Sequence, residues 1–499
     1  MAVSLKNVSF AKILFIMKKF SLFVFGIAGA LTLSAQSYND ALRYSESFQE
    51  GNARFMSMGG AVSALGANIG AMSSNPAGSA VFKKSVVEFT PTYYYTKAKS
   101  SYLGYDESAF VSEMKIPSFG IVGYKPLKQN NVFVSGITYG FAMNAQNRYN
   151  STTAFAATND NSSLSDDFLA LAKDDKWYDD YNTLAWDAYL VDTIPNVDDY
   201  YTPFSKNGVT NYGEYQDIEY QREGVKREFL FNFGVDFSEY VFLGVDLSFM
   251  NLYYNDYLTF TESDDNSTNP LLDSYTYCKN TEVTGNGVGG KFGMIVRPIE
   301  YIRIGGAFHT PISYNIEEKC DASLEAFYDQ DVRPDTDYGY GTDAFESNYK
   351  INQPAKYVAS LGFVYKNVLN VGVDYEYMNY ENCELRNVST SKLNSQIANE
   401  LAAVSNLKCG AEFRYGPFSF RGGYATYGNP YKNASGDFYR RDISGGVGLA
   451  TNTFYYDLAV TNAKIAKDEW LYTDAAGKAV TGESTVHRTY VMFTAGFKF

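Results

Sequence analysis

Two histidines, His309 and His487, and four cysteines, Cys278, Cys320, Cys383 and Cys409, are the residues of this 499-residue chain best suited to metal binding or nucleophilic chemistry. Zinc sites take such ligands from closely spaced pairs, and a nucleophile needs a base within hydrogen-bond reach. The cysteines show no CxxC spacing, and neither histidine has a convincing serine or aspartate context. The spacing therefore predicts no metal site, no cofactor and no enzyme. Gly285-Asn286-Gly287-Val288-Gly289-Gly290 fits a dinucleotide loop by letter, but Lys291 to Arg297 continues as a strand where a helix would have to begin. Gly287, Gly289 and Gly293 share a strand face with Lys291, which predicts clearance for material packed against that face. Asp264-Asp265-Asn266 lacks the spaced ligands and terminal glutamate of a calcium loop and reads as a solvated loop tip. His309 shares the face of Arg303 and reads as a polar interior residue rather than a ligand.

Hydrophobic residues make up 45% of the chain and aromatics 17%, with 44 Tyr and 36 Phe against 3 Trp. Such a tyrosine excess suits positions that are half wet and half apolar, as at the two interfaces of a membrane barrel. Residues 1–35 carry Lys6, Lys12, Lys18 and Lys19 and no acid, so their removal takes the 42 basic residues to 38 against 56 acids, a net charge of -18. An acidic chain with no basic stripe predicts no nucleic-acid partner. The apolar run Phe20 to Leu33 follows Lys18-Lys19 and ends in small residues, the pattern of a secretory signal cut after Ala35; Met17 is a second candidate for the first residue. That run is too short to cross a hydrocarbon layer of ~30 Å. With no other long apolar run, any membrane span must be built of strands.

From Ser85 onward the chain alternates with period two. Phe229, Phe231, Phe233, Val235 and Phe237 alternate with Glu228, Asn232, Gly234 and Asp236, and Val491, Phe493, Ala495, Phe497 and Phe499 close the sequence in the same way. A charge on the lipid face costs roughly 2 to 4 kcal/mol near the midplane, so the charged face must look inward. Glu228, Asp236, Asp246, Lys291, Arg303, Asp374, Glu376, Lys408, Glu412, Arg414, Arg421 and Arg488 are then expected in a polar interior. Connections that are alternately tight and long, the first long one between strands expected at 85–96 and 116–125, predict an all-β fold, a transmembrane antiparallel barrel of about 14 strands. Tight turns are expected at Pro126–Asn131, Ser238–Tyr240, Pro298–Glu300, Lys366–Leu369, Gly416-Pro417 and Thr451-Asn452. The expected divisions are 1–35 signal, 36–84 N-terminal plug of short helices and turns, and 85–499 barrel with a large external loop over about 150–217. Within that loop, Ser165 to Lys173 and Tyr181 to Leu190 read as short amphipathic helices. Their apolar residues Phe168, Leu171, Leu184 and Trp186 could form a ligand landing groove or simply pack on each other.

The segment Gly51 to Ala61, with Ala64-Leu65-Gly66-Ala67 and Asn75-Pro76-Ala77-Gly78, strongly resembles the start of the FadL/TodX (OmpP1-type) family of outer-membrane transporters for long-chain fatty acids and other hydrophobic compounds. Gly305 to Pro311 and the terminal Phe499 also look like family features. The resemblance implies a 14-stranded barrel plugged by an N-terminal hatch that carries the motif at Asn75, Pro76, Ala77 and Gly78. It also implies an apolar pocket beside the hatch and a sideways exit through a strand distortion. From residues alone, Asn75-Pro76-Ala77-Gly78 is a good turn. The expected function is passive uptake of hydrophobic small molecules across the bacterial outer membrane, by a monomer in contact with outer-membrane lipid. The alternative is a scaffold or shuttle component of a protein-secretion system. Arg303, His309 and Arg421 are expected as polar lumen residues. Phe497 and Phe499 resemble the signal read by the barrel-insertion machinery during assembly. Finally, Cys278 and Cys320 are equidistant from a symmetric turn centred on Ile299, which predicts a disulfide between them, with Cys409 a free thiol facing lipid.

Overall fold

The structure, a computed structural model, describes residues 38–127, 133–204, 212–265, 271–328, 337–387, 391–433 and 438–499. The expected signal segment, 1–35, lies outside them, as do Asn266 and part of the expected turn at 126–131. Antiparallel strands run β1 (Val86–Tyr102), β2 (Tyr105–Pro126), β3 (Gly136–Arg148, continued by Ser151–Asn159), β4 (Glu214–Phe237), β5 (Val241–Ser263) and β6 (Leu272–Ile299). There follow β7 (Ile302–His309 and Ile312–Tyr328), β8 (Asp337–Gly341, Phe345–Gln353 and Lys356–Tyr365), β9 (Leu369–Asn379 and Glu384–Arg386) and β10 (Ala403–Tyr415). The series ends with β11 (Phe418–Gly428), β12 (Phe438–Ala450), β13 (Phe454–Thr473) and β14 (Ala479–Lys498). Each strand pairs with its neighbour in sequence, and β14 returns to β1, Val86 opposite Lys498, closing a 14-stranded barrel with no sheet edge at its seam.

Alternation sets the polarity of the wall. Glu228, Asp246, Lys291, Asp374, Glu376, Lys408 and Glu412 are buried in the interior, while Phe231, Leu247, Val288, Phe292, Leu361 and Phe420 stand exposed on the outside. A soluble barrel would have the reverse arrangement; an apolar exterior is matched by hydrocarbon. The tight turns expected at Ser238–Tyr240, Lys366–Leu369 and Gly416-Pro417 are present, with Phe237 opposite Val241, Tyr365 opposite Leu369 and Tyr415 opposite Phe418.

At the other end the strands run on beyond the expected limits. β1 and β2 meet in a two-residue turn, Tyr102 opposite Tyr105, where a long loop was expected, and Ser151–Asn159, expected as the start of the great loop, is strand paired to β4. β6 has 28 residues; at ~3.3 Å per residue and a tilt near 40° it rises about 70 Å, far above an apolar band of ~25 Å. The excess forms a collar. Helices α4 (Ser165–Lys173) and α5 (Asn182–Asp187) fill it as a cap whose core includes Phe168, Leu184, Phe204, Phe260, Tyr277 and Leu324.

Lower down lies the N-terminal segment: α1 (Tyr38–Ser45), α2 (Ala53–Ser57), α3 (Ile69–Met72) and a 3-10 turn, Pro76–Val81. Its side chains are buried almost throughout. Asn52 and Asn68 cap α2 and α3 by accepting from the Phe55 and Ala71 amides. These caps let very short helices form with their end groups satisfied. The wall makes room for the segment with glycine: a Cβ at Gly244 would strike the Pro76 carbonyl group, and one at Gly293 would strike Asn75. Gly287 and Gly289, expected to give the same clearance, face Ile312 instead.

Candidate functional site

The Asn75-Pro76-Ala77-Gly78 turn is wedged against β5 and β6. Asn75 Oδ1 accepts from the Ala77 amide at 3.1 Å while its Nδ2 donates to the Met294 carbonyl at 3.3 Å. Asn232 Nδ2 donates to the Pro76 carbonyl at 3.1 Å. Lys291 Nζ donates to the Ser73 carbonyl at 2.8 Å, and His309 Nε2 meets the Ser74 carbonyl at 2.9 Å. The expected lumen residues thus turn out to be the wall's grip on the plug. Arg303 donates to the Leu65 carbonyl, and Arg421 bonds Glu412 and Asp457. Glu412 also accepts from Arg54 of α2 at 3.0 Å and from Arg414 at 2.8 Å. A buried carboxylate among three guanidiniums is compensated many times over, which makes this cluster an anchor rather than a reactive group.

Above α1 and below the cap lies a chamber of about 1070 Å³. Leu42, Phe48, Leu164 and Phe260 give it apolar surface, but Tyr149, Tyr220, Tyr254, Tyr277, Tyr431 and Tyr439 give it hydroxyls. Charges are present too, several of them paired: Arg222 bonds Asp256 at 3.2 Å and Glu469 at 2.6 Å, and Lys279 bonds Asp180 at 2.8 Å. Arg43, bonded to Asp40 at 2.6 Å, lies over the Tyr254 ring. The wholly apolar pocket implied by the resemblance is replaced by a mixed one, suited to ligands with both a hydrophobic body and polar groups.

Beside the chamber the wall parts. β2 and β3 pair only from Ser118 opposite Asn144 to Pro126 opposite Gly136. Beyond that point β3 stays with β4, and residues 105–115 of β2 pair with β1 alone. The departure coincides with a register shift between Ala145 and Asn147. It also coincides with Gly224 of β4, whose φ of +130° is open only to glycine and whose added Cβ would strike the Tyr253 carbonyl. The residues alone did not locate this distortion. Arg148 of β3 lines both chamber and parting.

The expected landing residues divide. Phe168, Leu171 and Leu184 are buried in the cap core and pack on each other, so they form no open groove. Trp186 is exposed, in an edge-to-face cluster with Trp177 at 5.7 Å and Tyr200 at 5.9 Å. Phe497 and Phe499 are stacked and exposed on the outside of the closing strand.

The expected disulfide does not form. Cys320 lies opposite Thr281, and Cys278 opposite Ser323, so the true register is offset by three residues from a turn centred on Ile299. The offset is set at the turn itself, where Ile299 already lies opposite Ile302; the shift between Ile302 and Ile304 and the break at Thr310-Pro311 each move the register by one residue, in opposite directions, and cancel. An odd offset puts the two cysteines on opposite faces. Cys320 is inside near Asp180, Cys278 is outside, and all four cysteines are free thiols, Cys409 among them on the outward face.

No family model matches this sequence, and no curated protein matches it. Solved structures do. A FadL homologue from Pseudomonas aeruginosa superposes with a TM-score of 0.55 at 13% identity, over 91% of this chain and 100% of that one. The Pseudomonas putida toluene transporter TodX gives a TM-score of 0.51 at 11% identity, over 91% and 100%. At such identities the likeness shows a shared fold.

Proposed function

We propose that this chain is a bacterial outer-membrane channel for hydrophobic small molecules, working passively, with residues 36–84 as its hatch and 85–499 as its barrel. The observation that carries the reading is a chamber placed between a plugged lumen and a parting in the wall. With the axial path filled by the hatch, a molecule entering from the cap side meets the chamber first and the β2–β3 parting next, and burial of its apolar surface drives each step. The TodX-like fold supports this reading. Because the chamber mixes tyrosine hydroxyls and ion pairs with apolar surface, amphipathic and aromatic compounds fit it better than saturated hydrocarbon. Asn75, Pro76, Ala77 and Gly78 gate the lumen in this proposal, Trp186 with Trp177 and Tyr200 marks the external landing place, and Phe497 and Phe499 serve assembly.

Purified protein reconstituted into vesicles tests the reading. Labelled toluene and laurate should enter faster than into protein-free vesicles, whereas glucose should not. Equal entry of all three, or of none, removes the channel function and leaves a scaffold role in secretion as the better account.

A further inference from the structure

On the outside of the wall, four basic side chains stand in one cross-strand row. Lys97 of β1 lies opposite His487 of β14, His487 opposite Lys464 of β13, and Lys464 opposite Arg441 of β12. Stepping down these strands by twos, the same face carries Tyr95, Tyr93, Val491, Phe493, Val460 and Ile443, all exposed, so the row points outward. From Lys498 at the periplasmic rim to His487 the strand climbs about 28 Å, at ~3.3 Å per residue and a tilt near 40°, which sets the row just past an apolar band of ~25 Å. The layer directly beneath it is half wet: Asn462 donates to Thr489 at 3.1 Å, and Tyr95 meets Phe110 of β2 at 6.0 Å. Lys99 stands two residues above Lys97 and is exposed. Among the described residues, no ion pair is formed by Lys97, Lys99 or Lys464. The outward acids of this sector, Asp106, Glu483 and Asp468, share a separate row with Ser101. That row lies about 13 Å further along β14, beyond a Debye length of ~8–10 Å. On the far wall, the row at the same distance from the periplasmic turns, Arg227, Asn251, Asn286 and Asn315, holds one cation.

We propose that this row is a seat for the phosphate groups of a phosphorylated glycolipid of the outer leaflet. Like charges directly opposite one another across strands destabilise a sheet, and in so acidic a chain a row of cations without an acid of its own calls for an anion from outside. The leaflet supplies one at the right height. A lipid whose acyl chains cover the exposed Tyr93, Val491 and Val460 brings its headgroup level with Lys97 and Lys464, so one molecule satisfies the apolar face and the row above it. A neutral glycolipid matches only the lower surface, and free phosphate only the upper. Strands ~4.8 Å apart make the row about 14 Å long, room for a headgroup with more than one phosphate. Lysine meets phosphate as a point charge and arginine as a two-pronged fork, and the row offers both. It also crosses the seam, since Lys97 belongs to the first strand and His487 to the last, so a headgroup bound along it clasps the junction at which the barrel closes. The site is on the opposite face of the wall from the chamber and does not depend on the channel reading.

Diphosphorylated lipid A, the same lipid after enzymatic removal of its phosphates, and inorganic phosphate are the probes. Binding is measured on the full-length protein in detergent, with EDTA present so that cation bridges to Asp106, Asp468 and Glu483 do not contribute, and with heat-modifiability as the control for folding. The phosphorylated lipid should bind roughly tenfold or more tightly than the dephosphorylated one, and inorganic phosphate at the lipid's concentration should not displace it. Lys97→Gln with Lys464→Gln should weaken binding by roughly thirtyfold, the combined weight of two lysines at an anionic lipid surface. Lys97→Arg with Lys464→Arg should retain it. The same loss of charge on the far wall, Lys319→Gln with Lys350→Gln, should leave it unchanged. Equal affinity for the two lipid forms, or parental affinity in folded Lys97→Gln/Lys464→Gln protein, refutes the seat. Displacement by inorganic phosphate at the lipid's own concentration makes the row a site for free anions and overturns the lipid assignment. If the double variant does not fold, the comparison of the two lipid forms on the parent protein decides by itself.

Discussion

The two halves of the lumen are closed by opposite means. Below the chamber the hatch is tied to the wall at many separate points, through Arg54, Asn75, Ser63 and Ser74 on its side and Glu412, Met294, Asp374 and His309 on the other. Above it, residues 105–117 of β2 lack a strand partner on the β3 side, and the β1–β2 hairpin is joined to β3 by side-chain bonds, Glu113 to Arg148, Ser100 to the Ala154 carbonyl and Asn159 to the Tyr102 hydroxyl. Many weak ties make a plug whose failure requires several losses at once. A few side-chain ties in place of a strand ladder make a place that yields more readily than the plug. In the proposed channel, ligand passage belongs at the parting, with the lower hatch as the floor of the chamber.

The floor yields most to steric force. Gly244→Leu would drive a side chain into the Pro76-Ala77 backbone, which cannot rotate away as a side chain can. Overpacking of this kind costs about 1–3 kcal/mol or more, enough to expel a segment with only short helices. The variant should remain heat-modifiable, since the closed strand ladder is untouched, but should show large open-channel conductance in planar bilayers and rapid cleavage of the hatch by protease. A closed, protease-resistant Gly244→Leu protein would mean that the hatch is not fixed at this contact.

A milder change to the same floor is Asn75→Ala with Pro76→Ala. It removes one cap and one donor, about 1 kcal/mol, from a segment with many other ties. Uptake of hydrophobic probes should change by a modest factor while heat-modifiability and low conductance persist; uptake identical to the parent for every compound would deny the turn a gating role.

The contrast between halves also marks how far the sequence could be read. Inside the apolar band, each strand must show one face to lipid, so residues such as Phe229–Phe237 declare both strand and orientation. In the collar neither face meets lipid, and Lys97, Lys99, Ser100 and Ser101 read as loop although each is paired across to β14. The parting was hidden for a related reason. Arg148, Glu113 and Glu50 come together only through the shift at Ala145–Asn147 and the glycine at 224, neither of which leaves a local mark. A Gln-Asn-Arg run inside a strand, at 146–148, was the one available hint.

Register is where the prediction failed outright, and thiols measure it. Denatured without reductant, the protein should label at all four cysteines. Folded in detergent, the outward Cys278 and Cys409 should react well ahead of the buried Cys320 and Cys383. Protection of Cys278 and Cys320 together in the denatured sample would restore the symmetric turn and cancel the three-residue offset.

The smallest expected effect lies in the cap, which is packed like an ordinary core yet holds buried acids, Asp166 and Asp167 on α4 and Glu214 and Glu262 on the strands around it. Asp166 and Asp167 open α4, where the helix N-terminus favours negative charge. Burial outweighs that benefit and pushes both carboxyls up to about 6, although Tyr212 and Tyr181 donate to them at 2.8 Å each. A folded carboxyl with a raised pKa binds its proton longer than the unfolded chain does. Its stabilising contribution is then complete below about pH 4, the unfolded value, and is lost as the pH rises through about 6. The cap should resist urea better at pH 5 than at pH 7.5, by a difference far too small to open the barrel. Trp177 and Trp186, both on the cap, provide the fluorescence signal. Asp166→Asn with Asp167→Asn should narrow the gap between the two midpoints while leaving heat-modifiability unchanged; Glu214, pushed up to about 8 by burial, accounts for the remainder. If the midpoints already coincide in the parent, or differ as widely in the double variant as in the parent, the pH response of the cap does not come from these two acids.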